Sequence, residues 1–167
     1  MAEYQHIRHT FMPVYDENSK VLILGSLPSV KSREAGFYYG HPQNRFWRVL
    51  AALLCCPVPA TVEEKKRMLL MHHIAVWDVI ESCDIIGSSD SSIKNVVPAD
   101  IGLILEKTGI KKIFANGKKA ENLYKKYIFP KTKIQVTALP STSPANAAWS
   151  LEKLVEVWGG EIGNILW

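Results

Sequence analysis

Cysteine is scarce in this sequence, with three among 167 residues, and two of them, Cys55 and Cys56, are adjacent. An odd number with an adjacent pair is a poor basis for a disulfide framework, and it provides neither the set of thiolates that an iron–sulfur cluster needs nor a Cys-x-x-Cys zinc motif. No apolar run approaches the length of a membrane span, and the first residues lack the apolar core of a signal peptide. These absences predict a cytoplasmic protein without a bound metal or other cofactor.

What the sequence does contain is typical of one globular domain spanning residues 1–167. Hydrophobic residues make up 47% of the chain and charged residues of both signs 22%, which argues against disorder and provides enough apolar side chains for a core. The net charge of +4 suits a polyanionic partner, but many proteins without such a partner share it. Function therefore has to be sought in local patterns.

Short apolar runs alternate with segments of helical periodicity along the chain. Residues 20–25, rich in Val, Leu and Ile and ending in glycine, are typical of a buried strand. Further strands are predicted at 74–80, 112–115 and 134–139, helices at 45–55, 61–71, 98–107, 118–127 and 147–158, and a polar loop at 82–95. This alternation predicts an α/β fold of three layers, with helices on both faces of a central four-stranded, mainly parallel sheet. Ligands of such sheets bind at the carboxyl ends of the strands.

The first loop, residues 25–29 with the sequence Gly-Ser-Leu-Pro-Ser, directly follows the first predicted strand. Glycine and serine let the backbone pass close to a ligand, and the N–H groups of such a turn can bind an anion. An ordinary strand-to-loop turn has the same composition, so both interpretations stay open. A phosphate-binding P-loop is excluded, because no Gly-Lys-Ser/Thr follows at the required spacing.

The central segment, residues 36–47, has the sequence Gly-Phe-Tyr-Tyr-Gly-His-Pro-Gln-Asn-Arg-Phe-Trp. Consecutive aromatics bounded by glycines and followed by His, Asn and Arg suit a pocket that stacks a flat ring and hydrogen-bonds its edge, which is how extruded bases are recognised. Tyr38 and Tyr39 precede the predicted helix and are the candidates for such stacking. Phe46 and Trp47 lie on the helix and are predicted to be core residues.

The last loop, residues 139–146, has the sequence Leu-Pro-Ser-Thr-Ser-Pro-Ala-Asn and follows the fourth predicted strand. Its hydroxyls and backbone amides can contact phosphates without reading base identity. The same residues are also typical of a helix start, with Ser143 or Asn146 as the capping residue and Pro144 near the first turn. The two interpretations are compatible.

Outside these segments, Asp78 lies at or near a predicted strand, where it is either a catalytic carboxylate or a local hydrogen-bonding partner. None of the three segments contains a carboxylate of its own. Adjacent histidines such as His72 and His73 rarely share one metal, and no cluster of further ligands accompanies them, so no metal site is predicted.

At the first loop, the central segment and the last loop, the sequence resembles the uracil-DNA glycosylase superfamily. It is most similar to the branch named for DNA-deoxyinosine (hypoxanthine) glycosylase activity, and the central segment also resembles the His-Pro-Ala-Asn-Arg-Phe-Trp stretch of mismatch-specific uracil/thymine glycosylases. Val-Trp-Asp-Val at 76–79 and Gly-Lys-Lys-Ala at 117–120 fit as well, so the resemblance extends over residues 20–158. It implies the αβα fold of that superfamily and a monofunctional hydrolase that removes a deaminated purine from DNA in base-excision repair.

This chain departs from most of the superfamily at two positions. Where most branches have Asp or Asn in the first motif to position water, it has Leu27, and where several begin the later motif with His or Asn, it has Leu139. Both differences argue against ordinary uracil excision. In the hypoxanthine branch the catalytic role is associated with the asparagine of the central segment, which implies that Asn44 is catalytic here and positions the water or the base.

The resemblance implies roles for further residues. Tyr39 is expected to stack on the rotated-out base, and the backbone N–H groups of Ser26 and Leu27 to contact the purine edge. His41 is expected to donate to the base or to a phosphate, with a structural role for this histidine left open. The predicted contacts to the DNA backbone, and to the gap that the base leaves, are Gly117, Lys118, Ser141, Thr142, Ser143 and Pro144.

Two other functions stay open from the sequence. The same fold could remove uracil, xanthine or a mismatched base. The absence of carboxylates from the three segments also allows a nucleic-acid-binding domain without catalysis. For the glycosylase, the expected partner is DNA containing a deaminated base, a single copy of the chain suffices, and neither a membrane nor a metal takes part.

Overall fold

The computed structural model describes residues 3–87 and 89–166. The strands are β1 (Gln5–Arg8), β2 (Val21–Gly25), β3 (Ile74–Asp78), β4 (Ile80–Ile85), β5 (Lys94–Pro98), β6 (Lys112–Asn116) and β7 (Val136–Leu139). The α-helices are α1 (Val30–Ala35), α2 (Phe46–Leu53), α3 (Val62–Met71), α4 (Ile101–Lys107), α5 (Lys118–Tyr127), α6 (Phe129–Thr132) and α7 (Leu151–Leu166), and a short 3-10 helix covers Asp90–Ser92.

The centre of the fold is a four-stranded sheet in the order β3-β2-β6-β7, with every neighbouring pair parallel. The predicted central four-stranded parallel sheet is therefore confirmed. Every residue of β2 and β3 is buried, as expected for central strands that are covered on both faces. Their continuous apolar runs made these strands recognisable in the sequence.

The chain reverses its direction of travel across this sheet. From β2 it crosses to β3 on one side, and from β3 it crosses back to β6 on the other side. Right-handed crossovers in opposite directions place α2 and α3 on one face and α4 and α5 on the other, which produces the predicted three layers. The reversal opens a crevice between the carboxyl ends of β2 and β6, the usual position of ligands in such folds.

A second sheet, which is antiparallel, has the strand order β1-β4-β5 and was not predicted from the sequence. The assignment of residues 82–95 to a polar loop is wrong, because most of β4 and the start of β5 lie there. β3 ends at Asp78 and β4 begins at Ile80, so the predicted strand at 74–80 joined two strands. β4 and β5 pair with register shifts and contain many polar residues, which leaves little periodic pattern to recognise.

The predicted helices are present, and α1 and α6 are short additional ones. The largest difference concerns the last helix, which spans Leu151–Leu166 instead of residues 147–158. The Ser150 hydroxyl accepts a hydrogen bond from the N–H of Lys153 at this helix start, so the last loop does not cap the helix. Within residues 3–87 and 89–166, no helix is both long enough and apolar enough to cross a membrane.

Candidate active site

A cleft of about 920 Å³ opens at the carboxyl ends of the parallel strands. The first loop, the central segment and the last loop all contribute to its walls, so three segments that are distant in sequence meet at one place. A volume of this size is in the range of sites that bind small molecules or single extruded groups. Among the residues that border the cleft are Gly25, Ser26, Leu27, Tyr39, Asn44, Asp78, Asn116, Gly117, Lys118, Ser141, Thr142 and Ser143.

The strand register places polar side chains at the floor of the cleft. Gly25, the last residue of β2, pairs with Asp78, the last residue of β3. On the other side of β2, Asn116 ends β6 and pairs with Leu139 of β7. A Cβ on Gly25 would lie 2.4 Å from Asp78 Oδ1, closer than nonbonded atoms approach, so the carboxylate occupies space that only glycine leaves free.

Arg45 joins the central segment to the last loop and the residues after it. Its guanidinium donates hydrogen bonds to the backbone carbonyls of Trp149, Ser143 and Asn146. Its backbone N–H donates to the carbonyl of Thr142. A guanidinium suits this task because its donors diverge in a fixed plane and reach several acceptors at once. These bonds hold two of the three segments together beside the cleft.

Asn44 is held by hydrogen bonds that determine the orientation of its amide. Asn44 Oδ1 accepts from the N–H of Phe46 at 2.9 Å and from the hydroxyl of Thr142 at 2.8 Å. The Thr142 hydroxyl accepts from Asn116 Nδ2 at 3.0 Å, and Asn116 Oδ1 accepts from the Thr142 N–H. Because both lone pairs of Asn44 Oδ1 are used within the protein, the group left for a ligand is the Nδ2 donor.

Tyr39 borders the cleft with one face of its ring already covered. The ring stacks on that of Phe46 with centroids 3.9 Å apart, so one face at most is open to a base. The backbone has φ of +52°, a strained conformation for a tyrosine. The hydroxyl is buried and has no hydrogen-bond partner among the described residues. Burial, followed by the nearby charge of Asp78, raises the pKa of Tyr39 far above its usual range.

The other aromatic residues of the central segment belong to the core. Tyr38 is 2% exposed and its hydroxyl donates to the carbonyl of Met12, which leaves Tyr39 as the candidate for stacking. Phe46 and Trp47 are buried, as their helical positions predicted.

The first loop presents two backbone donors at the cleft. The N–H groups of Ser26 and Leu27 have no acceptor among the described residues, and both residues border the cleft. The side chain of Leu27 packs against the apolar cluster of Ile80, Cys83 and Ile85. Leu27 therefore anchors the loop through its side chain and offers its backbone to a ligand.

Gly117 allows the last loop to approach the start of α5. Its φ is +96°, a conformation that favours glycine, and a Cβ there would lie 3.0 Å from Ser141 Cβ. Its N–H donates to the carbonyls of Ala115 and Leu139, so the predicted phosphate contact of Gly117 is not available through that group. The Lys118 side chain is 84% exposed at the edge of the cleft, 3.6 Å from Glu121.

Three further predicted contacts are revised by the structure. Thr142 is fully buried and its hydroxyl is engaged with the two asparagines, so this side chain positions amides instead of binding phosphate. His41 and Pro144 are not among the described residues that border the cleft. His41 Nδ1 accepts from the N–H of Gln43 in a local turn, which favours the structural role left open for this histidine. Ser141 and Ser143 border the cleft and stay candidates for phosphate contacts.

His9 does not border the cleft itself, but it contacts Asp78, which does, and sequence reasoning missed it. Its Nε2 lies 2.8 Å from Asp78 Oδ2, and both side chains are buried. Asp78 thus has a partner, but one 69 positions away in the sequence, where no local pattern marks it. Burial raises the pKa of Asp78, and the hydrogen bond and charge of His9 oppose that shift.

The charges at the edge of the cleft are mainly basic. Arg33, Lys118 and Lys119 border it, and Lys119 forms an ion pair with Asp90 at 2.7 Å. Such a basic edge suits contacts to phosphate. In the part of the chain that the structure describes, no group of three or more His, Cys, Asp or Glu side chains is arranged to hold a metal ion.

Known proteins are similar to this chain in sequence and in fold. A family model described as the uracil DNA glycosylase superfamily matches residues 12–159. The chain is 37% identical over 146 residues to a Methanosarcina acetivorans protein named hypoxanthine DNA glycosylase, covering 86% of this chain and 91% of that protein. It is 34% identical over 112 residues to a Methanosarcina barkeri protein of the same name, covering 66% of this chain and 71% of that protein. A solution NMR structure from Methanosarcina acetivorans, provisionally described as a uracil DNA glycosylase, matches with a TM-score of 0.79 at 33% identity, covering 93% of this chain and 96% of that one.

Proposed function

Because the chain belongs to the uracil DNA glycosylase superfamily, we propose that it is a DNA glycosylase that hydrolyses the bond between hypoxanthine and deoxyribose in DNA. Two relatives that match most of the chain are named for this activity. The observation that carries the proposal is the fixed amide of Asn44 beside a cleft to which all three motif segments contribute. None of those segments contains a lysine that could form a covalent intermediate, so the enzyme is expected to be a monofunctional hydrolase.

Hydrolysis of an N-glycosidic bond builds positive charge on the sugar and negative charge on the departing base. A donor that is already held beside the base stabilises this anion without reorganising during the reaction. Asn44 Nδ2 meets this requirement, because Phe46 and Thr142 hold the amide by its oxygen. We therefore assign to Asn44 the role of the catalytic donor to the base.

Tyr39 and the first loop form the binding site for the base in this proposal. The open face of the Tyr39 ring stacks on the rotated-out purine, and the N–H groups of Ser26 and Leu27 donate to acceptors on its edge. Ser141, Ser143 and Lys118 bind the neighbouring phosphates, since they border the same cleft and offer hydroxyl and ammonium donors.

A single copy of the chain contributes every residue of this site, so we propose that the enzyme acts as a monomer on DNA that contains a deaminated base. Cys55, Cys56 and Cys83 are all free thiols. Free thiols fit a reducing compartment, and we propose that the protein acts in the cytoplasm.

Another damaged base is the second candidate substrate. A substrate other than hypoxanthine is favoured by the similarity in structure to the protein provisionally described as a uracil DNA glycosylase. Leu27 and Leu139 argue against uracil, because neither side chain supplies a polar group to the base or to water.

The proposed substrate is tested with DNA duplexes that each contain one deoxyinosine, deoxyuridine, deoxyxanthosine or T·G mismatch. Alkaline treatment after incubation with the enzyme converts each abasic site into a strand break. Breaks at deoxyinosine alone support the proposal, and breaks only at another base assign a different substrate. Binding of the duplexes without any break would favour the alternative of a nucleic-acid-binding domain.

Tyr39→Ala should lower kcat/KM on the deoxyinosine duplex, because the base loses its stacking partner. The expected decrease corresponds to about 1–3 kcal/mol of transition-state stabilisation. Tyr4→Ala is the control, since Tyr4 is 44% exposed and lies outside the cleft. Thermal unfolding of both variants separates this loss from the loss of packing against Phe46. Equal kinetic effects of the two substitutions would remove Tyr39 from the base site.

A further inference from the structure

We propose that Asp78 is a further catalytic residue, which accepts a hydrogen bond and then a proton from the water that attacks the sugar. The inference rests on the proposed function. The three motif segments contain no carboxylate, and the side chain of Leu27 is an apolar anchor. Asp78 reaches the same cleft from the end of β3, so the neighbouring strand provides the acidic group that the segments lack.

One oxygen of this buried carboxylate is free. Asp78 is 4% exposed and its Oδ2 lies 2.8 Å from His9 Nε2, whereas Oδ1 has no hydrogen-bond partner among the described residues. Oδ1 lies 2.4 Å from the point where a Cβ of Gly25 would be, and the Tyr39 hydroxyl lies 3.0 Å from the same point. These two polar oxygens therefore fill the space that the missing side chain of Gly25 leaves. In the proposal the attacking water lies in the adjoining cleft, which Asp78 borders, and donates a hydrogen bond to Asp78 Oδ1.

His9 holds Asp78 in the form that can accept a proton. His9 Nδ1 is buried without a partner among the described residues. Because an ionised carboxylate oxygen can only accept a hydrogen bond, the Nε2–H of His9 donates to Asp78 Oδ2. In the deprotonated form that the proposal requires, the negative charge of the Asp78 carboxylate also stabilises the positive charge that develops on the sugar.

The proposed step consumes one water and no other reactant. The water oxygen forms a bond to C1′ of deoxyribose while the bond from C1′ to N9 of the base breaks. The bonding electron pair leaves with the base, whose negative charge is stabilised by Asn44 Nδ2–H. One proton passes from the water to Asp78 Oδ1 and then to solvent, and the base takes up a proton from solvent. The products are hypoxanthine and an abasic deoxyribose.

Asp78→Asn tests this role because it removes the charge and keeps the shape of the side chain. We expect the single-turnover rate constant on the deoxyinosine duplex to fall at least about tenfold. The Kd for the duplex, measured by fluorescence anisotropy, should change by less than about threefold. Asp84→Asn is the matched control: Asp84 also bonds a histidine, with His6 Nδ1 at 2.9 Å, but it lies outside the cleft. Its rate constant should equal that of the wild type.

The pH dependence of the wild-type rate is a second test that does not require the variant to fold. The titratable groups that face Asp78 are His9, Tyr38 and Tyr39, and burial raises the pKa of both phenols so far that they stay protonated. Burial also raises the pKa of Asp78 above the usual range of an aspartate. Because the deprotonated form is active, the rate should fall as the pH decreases through this raised pKa, and Asp78→Asn should lack that decrease.

Each outcome decides the inference. A folded Asp78→Asn variant with the wild-type rate constant, or a wild-type rate that does not decrease on the acid side, overturns the role of Asp78 and leaves the proposed function intact. Equal losses in Asp78→Asn and Asp84→Asn also overturn it, because the effect would not be specific to the cleft. A wild-type protein that releases no base from any duplex overturns the proposed function and this inference with it.

Discussion

Asn44→Ala is expected to lower the single-turnover rate constant for release of hypoxanthine about a hundredfold, which corresponds to about 2.7 kcal/mol of activation free energy. The substitution removes the Nδ2 donor that faces the departing base. It also leaves the hydroxyl of Thr142 and the N–H of Phe46 without their acceptor, so thermal unfolding has to be measured alongside the rate. Asn122→Ala on the exposed side of α5 is the control and should retain the wild-type rate.

Asn44→Asp separates donation to the base from acceptance from water. An aspartate keeps the two hydrogen bonds that Phe46 and Thr142 donate, but it replaces the Nδ2 donor with a second acceptor. If Asn44 acts as a donor, the aspartate variant is as slow as the alanine variant. A substantially faster aspartate variant would mean that this position serves the attacking water, and the role assigned to Asn44 would be wrong.

Arg45→Met should have the largest effect on stability. It removes a guanidinium that donates to three backbone carbonyls and leaves those part-buried acceptors without a partner. We expect a loss of about 2–4 kcal/mol in the free energy of unfolding, measured by urea denaturation, and a decrease of roughly 5–15 °C in Tm. Methionine fills most of the volume of the arginine stem, so the loss reports on the hydrogen bonds more than on packing.

Activity should fall together with stability in Arg45→Met, because the last loop loses its attachment to the central segment. Arg48→Met is the matched control on α2, the helix that begins directly after Arg45: Arg48 is exposed, and its guanidinium makes a single long contact of 3.4 Å to the carbonyl of Gln43. This control should change stability by less than about 0.5 kcal/mol. If the two methionine variants were equally stable, Arg45 would not hold the segments together.

The central sheet could be predicted because its strands are short, continuous and apolar. β2 and β3 are buried on both faces, and burial on both faces removes the polar residues that would otherwise interrupt such runs. The second sheet could not be predicted in this way. β5 is largely exposed, and its pairing with β4 contains shifts of register, so neither strand has a regular alternation of apolar and polar residues.

Most of the candidate site could be located from the sequence, because motif loops at the carboxyl ends of parallel strands necessarily meet at one edge of the sheet. Asn44, Tyr39 and the first loop border the cleft as this rule predicts. The roles of Thr142 and Gly117 could not be predicted, since a hydroxyl or a glycine in a loop is equally suited to bind a ligand or to support a neighbour. Burial distinguishes the two, and burial is a property of the folded chain.

The sequence by itself determined the parallel sheet and the segments at its active edge. It also determined that Asn44 is present while Leu27 and Leu139 replace the polar residues of related branches. Each of these features depends on residue type and short spacing. Only the tertiary structure decided which atom of Asn44 faces the cleft and which carboxylate accompanies it. Thr142 is 98 positions from Asn44, and His9 is 69 positions from Asp78. Hydrogen bonds are made at distances of about 3 Å, and contacts between such remote positions arise when the sheet brings strand ends together.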